Sequence, residues 1–184
     1  MGIKIIHTEW KIVKQDWEEY KSAPWRTIQV LRPMVELDYN GISKYAHSQL
    51  GKTYDWPALL THLFYILTLP LQRALKVKRP WWIGPVGKNA QRHHVCSEFA
   101  AWCIKLNTNA NIFPRPWIET AESIRTNPYM RVLEKHETLQ TGDIAIVRSV
   151  FSWKHPKSWG LSWLSWIIRK LTKSYYNHVI VIIT

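Results

Sequence analysis

The sequence predicts an α+β domain in which a small antiparallel sheet packs against an amphipathic helix headed by a cysteine. Three observations carry that expectation. Aliphatic, β-branched runs stand near both ends, at Ile3–Ile6 and His178–Ile183, segments of helical character lie between them, and Val95-Cys96-Ser97-Glu98-Phe99-Ala100-Ala101-Trp102-Cys103 places a thiol at the start of one such segment.

In chain order, Gly2 to Thr8 reads as a strand, and alternating apolar and charged residues then run to Tyr20, toward a loop at Pro24. Thr27 to Leu31 is a second strand. Ile42 to Leu50 has helical character and stops at Gly51, and Trp56 to Leu75 is helical with a break at Pro70. A basic loop containing Pro and Gly runs from Lys76 to Arg92. The cysteine helix spans Cys96 to Leu106 and ends at Asn107-Thr108-Asn109; a loop with Pro114 and Pro116 leads to a short helix, Ile118 to Arg125. The turn Thr141-Gly142-Asp143 launches the strand Ile144 to Val147. Ser158 to Leu171 is a Trp-rich helix. His178 to Ile183, almost wholly β-branched, closes the chain as a buried strand.

A chain of 184 residues with 46% hydrophobic and 21% charged residues is expected to fold as one globular domain over 1–184. The formal charge of +12 and the 12 tryptophans point to a partner that is anionic and partly apolar, such as a membrane, an envelope polymer or nucleic acid. Cys96 and Cys103 lie on one face of the same helix, roughly 10 Å apart along its axis, so they cannot pair without breaking it. Met1 to Trp10 lacks the apolar core and cleavage site of a signal peptide, and the apolar run Trp56 to Leu71, interrupted by His62 and Pro70, is too short to span a membrane.

A thiol at a helix start is placed for nucleophilic work, because the unpaired N–H groups and the positive dipole end there favour the thiolate. A base and an orienting group must then come from elsewhere in the sequence. His178, opening its strand after Tyr175-Tyr176-Asn177, and His7, on the Ile5 face of the first strand, are the candidates. His93 and His94 beside Cys96 invite a metal reading, but three ligands within four residues do not close a tetrahedral site, so no metal or other cofactor is expected.

The set Gly51-Lys52-Thr53-Tyr54-Asp55, Val95-Cys96-Ser97-Glu98, Thr141-Gly142-Asp143-Ile144 and Asn177-His178-Val179 resembles the permuted papain-like amidases of the YiiX type, relatives of NlpC-type cell-wall hydrolases. The resemblance implies a papain-like fold with Cys96 as nucleophile, His178 as base, His7 as the orienting residue and Tyr54 lining the substrate cleft. The order departs from the family: the cysteine precedes both Gly142 and His178, and the strand expected after the histidine stands at the N-terminus. A further circular permutation, with the two ends on adjoining strands, accounts for this.

The function so implied is cleavage of an amide through an acyl-enzyme, with a peptidoglycan peptide as substrate. Similarity of lecithin retinol acyltransferase to the same superfamily keeps a lipid amide or ester hydrolase, or an acyltransferase, as an alternative. A non-catalytic binder of anionic membrane or nucleic acid is the remaining class, and no nucleic-acid motif supports the latter. Trp159, Trp163 and Trp166 form one stripe followed by Arg169, Lys170 and Lys173, which fits core packing and an interfacial helix equally. Cys103 is read as core, Asp143 as a turn residue, and Glu98 as a complement to the helix dipole.

Overall fold

The computed structural model describes residues 2–8, 11–53, 95–116, 119–149, 175–176 and 178–184. The expected helices Trp56–Leu75 and Ser158–Leu171, the basic loop Lys76–Arg92, His93, His94 and Tyr54 lie outside the described residues.

Strands β1 (Lys4–Thr8) and β2 (Ile12–Asp16) lead into a single-turn helix α1 (Trp17–Lys21), then β3 (Arg26–Pro33) and α2 (Tyr39–Ser48). The second half supplies α3 (Cys96–Lys105), α4 (Ala121–Arg125), β4 (Met130–Val132), β5 (Ile144–Ser149) and β6 (His178–Ile183). The α+β expectation holds: six strands form one antiparallel sheet in the order β2-β1-β6-β5-β3-β4. Strand β1 pairs with β6, Lys4 opposite Ile183 and His7 opposite Ile180, so the strands nearest the two ends of the sequence are neighbours.

Side-chain chemistry sets several boundaries. Asp16 caps α1 by accepting from the Glu18 N–H at 2.9 Å, and Asp38 caps α2 from the Gly41 N–H at 2.9 Å. Helix α4 starts at Ala121 rather than Ile118, because Thr120 and Ser123 cap each other's backbone N–H and fix the first turn there. At Gly142, φ is +93° and an added Cβ would stand 2.9 Å from Ile42 Cδ1, so the turn before β5 requires glycine. Asp143 is the turn residue the sequence suggested, and more: its buried carboxylate accepts both Nε and Nη2 of Arg32 at 2.7 Å and the Gln140 N–H at 2.8 Å. That fork ties β3 to the turn.

Apolar residues sort onto the two faces of the sheet. On one face Ile6, Leu31, Ile144, Ile146, Val179, Val181 and Ile183 meet Phe99, Ala100, Cys103 and Ile104 of α3 and Ile42 of α2. On the other, Ile5, Ala145, Val147, Ile180 and Ile182 meet Trp17 and Tyr20 of α1. The period of two along β6 divides its residues between these clusters. No helix among the described residues is long and apolar enough to cross a membrane.

Candidate active site

Helix α3 begins without a side-chain cap. Val95 occupies the N-cap position in extended conformation and has no acceptor to offer the first-turn N–H groups. Cys96 is the first helical residue, half-buried, with the N–H groups of Val179, Ser97 and Cys96 itself near its sulfur. Val179 belongs to β6, so the sulfur rests against the first peptide of the strand that His178 opens. Burial nevertheless pushes the Cys96 thiol above its ordinary value, with the three N–H groups pulling the other way. The resting group is the thiol.

Cys103 is fully buried in the α3 core, and burial raises its thiol far more. It packs, as expected. Glu98 lies in the first turn of α3, as expected, and is buried, with Trp102 Nε1 donating to its Oε1 at 3.3 Å.

The structure brings the two candidate histidines together. His7 Nδ1 and His178 Nε2 are 3.2 Å apart, with ring centroids at 5.4 Å and planes at 82°. His7 is wholly buried, is hydrogen-bonded to the Gln15 side chain and lies edge-on to Tyr20 at 5.1 Å. The Arg26 guanidinium stacks on the same Tyr20 ring at 3.7 Å and donates to the Tyr20 carbonyl at 2.8 Å. Burial lowers His7 to about 4, with the Gln15 bond opposing and Arg26 adding to the fall. Burial likewise takes His178 well below its ordinary value, helped by His7 and Arg26. Both rings are neutral at pH 7, so one can donate its N–H to the other's lone pair.

Cys96 does not join that pair. Val179, beside the sulfur, faces α3; His178 shares the opposite face with Ile180, where its ring meets His7. Among the described residues no hydrogen bond links the Cys96 sulfur to either imidazole. The sulfur and the His178 ring therefore flank one stretch of main chain from opposite sides. Tyr54, expected to line the cleft, lies outside the described residues.

Sequence reasoning missed Gln15, Tyr20 and Arg26 around the histidines, and Tyr176 and Arg148 on the sulfur side. The period of two in β6 was readable, but both of its faces are aliphatic, which leaves nothing to say which one α3 covers. Among the described residues no group of three or more His, Cys, Asp or Glu side chains is arranged to hold a metal ion. Compared with family models, with curated proteins and with solved structures, the chain matches none.

Proposed function

We propose that this chain is a cysteine hydrolase that cleaves an amide through an acyl-enzyme, built as a circularly permuted papain-like domain. One observation carries the reading: the Cys96 sulfur sits at an uncapped helix start, near the N–H of the residue that follows His178. The pairing of β1 with β6 supports the permutation, since it sets His7 on the strand beside the histidine strand.

In this reading His178 Nε2 donates to His7 Nδ1, which fixes the His178 tautomer with the lone pair on Nδ1. For the reaction the His178 ring, which faces away from the sulfur here, must bring Nδ1, the ring nitrogen nearer the main chain, to the thiol. The thiol proton passes to Nδ1 and the sulfur attacks the carbonyl carbon, forming a C–S bond and an oxyanion that helix-start N–H groups stabilise. Collapse breaks the C–N bond, and the amine leaves with the imidazolium proton. Water, activated by the same nitrogen, then hydrolyses the thioester. The +12 charge favours a polyanionic setting, and a peptide amide of peptidoglycan is the proposed substrate.

An activated ester such as p-nitrophenyl acetate tests this directly. The wild-type chain is expected to form a thioester at Cys96 and turn over, Cys103→Ala to retain the reaction, and Cys96→Ala to lose it. His178→Ala is expected to slow it by about 10²–10⁴-fold. Equal acylation of the Cys96→Ala chain would end the hydrolase assignment. Peptide release from purified cell walls tests the substrate, and turnover of vesicle lipid ester instead would move the scissile bond to a lipid.

A further inference from the structure

We infer that Arg148 is the anion anchor of the Cys96 site and that the preferred acyl donor carries a carboxylate near the bond to be cut. This rests on the hydrolase reading above and specifies its substrate.

The register of β5 and β6 places the residue. Ile146 lies opposite Val179, whose N–H is near the sulfur, and Arg148 follows two positions along β5. Ile144 and Ile146 belong to the cluster beneath α3, so Arg148, of the same parity, leaves the sheet on the sulfur's side. Two residues of strand separate its Cα from that of Ile146 by about 7 Å.

Its surroundings position the guanidinium and, among the described residues, offer its charge no carboxylate. The group stacks on the Tyr175 ring at 4.0 Å, while Tyr176, packed against the same cluster as Cys96, donates its hydroxyl to Gln29 Oε1 at 3.0 Å. Arg148 Nε is buried and meets no hydrogen-bond acceptor, and no carboxylate pairs with Arg148 among the described residues. Arg125, on nearby α4, differs in this respect: its Nε and Nη2 both donate to Glu122 Oε1. A dry guanidinium N–H without an acceptor is costly, and a planar fork held by an aromatic ring suits bidentate capture of a carboxylate. The spacing matches a carboxylate borne one long side chain, or two extended residues, from the reacting carbonyl. The implied substrate is an acidic peptide.

The test uses thiol alkylation, which needs no turnover. N-Ethylmaleimide and 3-maleimidopropionate react by the same addition, but only the second carries a carboxylate. Their rates at Cys96 are read by mass spectrometry of the Cys96 peptide in the full chain. Relative to free cysteine, the wild type is expected to prefer the carboxylate reagent by about tenfold, a preference that shrinks with added salt. Arg148→Gln is expected to abolish the preference while changing the N-ethylmaleimide rate less than twofold. Arg148→Lys, which keeps the charge and serves should the glutamine variant not fold, is expected to retain part of it, and Arg125→Gln all of it. A preference absent from the wild type, or unchanged in Arg148→Gln, overturns the anchor. Absence of any acyl-enzyme with neutral esters would strike the hydrolase reading alone, because the alkylation ratio is independent of it.

Discussion

On the α3 side of β6, Val179, Val181 and Ile183 close a large aliphatic core into which the Cys96 sulfur is set, whereas on the other side His178, Ile180 and Ile182 face Trp17, Tyr20 and the ring of His7. Each side keeps its reactive group uncharged by the same physics, since burial disfavours a thiolate as much as an imidazolium. They differ in what compensates. The sulfur has backbone N–H donors that favour an anion, while the imidazoles have each other and a nearby arginine that repels a proton. Both sides thus rest uncharged: at the sulfur the N–H donors offset only part of the burial cost of an anion, and the α1 side holds neutral imidazole.

The contrast is broken most forcefully from the α3 side. Phe99 is wholly buried and among the largest of the buried side chains, with helix and sheet atoms around it. Phe99→Ala is expected to remove about 3–5 kcal/mol of stability, read as a lower urea midpoint at unchanged slope. A cost under about 1 kcal/mol would mean that α3 does not pack on the sheet as described.

Next in size is the pH dependence on the α1 side. His7 and His178 both have folded values below the ordinary 6.5, so the unfolded chain binds protons first as pH falls. Stability is therefore complete above pH 6.5 and is lost as pH drops toward about 4. For His7 alone the loss between pH 7 and 5 is about 2 kcal/mol. Urea unfolding at the two pH values measures it, and His7→Gln should flatten the slope. If stability instead rises on acidification, the imidazole pair is charged and the neutral His178 tautomer fails with it.

How far the sequence disclosed all this differs from element to element. β6 and α3 were legible because a β-branched run admits little but a strand, and because apolar residues recurring from Phe99 to Ile104 mark a packed helix. α1 carried its signals, Asp16 as cap, Glu18 and Glu19 in the first turn and Lys21 in the last, but five residues are too few to stand out from an alternating strand. β4, three residues long, has no periodicity to read; its pairing with Leu31, Arg32 and Pro33 creates it. At the site, the closeness of His7 and His178 followed from the expectation that the outermost strands adjoin. The side on which the cysteine approaches did not, because it is set by which face of an all-aliphatic strand α3 covers, a tertiary choice.

The smallest expected effect sharpens the same contrast. Tyr176 lies on the sulfur side, and its hydroxyl reaches across to Gln29 of β3 at 3.0 Å. Tyr176→Phe removes that hydrogen bond but keeps the ring, so about 0.5–1.5 kcal/mol should be lost. The carboxamide left behind is only partly buried and can turn to water, which argues for the lower half of that range. Because the imidazole pair occupies the opposite face, the pH slope of stability should not move, whereas the Cys96 alkylation rate should respond to a loosened neighbour. A Tyr176→Phe chain whose pH slope shifts while its alkylation rate stays constant would mean that the two faces communicate through β6, and the division drawn between them would be wrong.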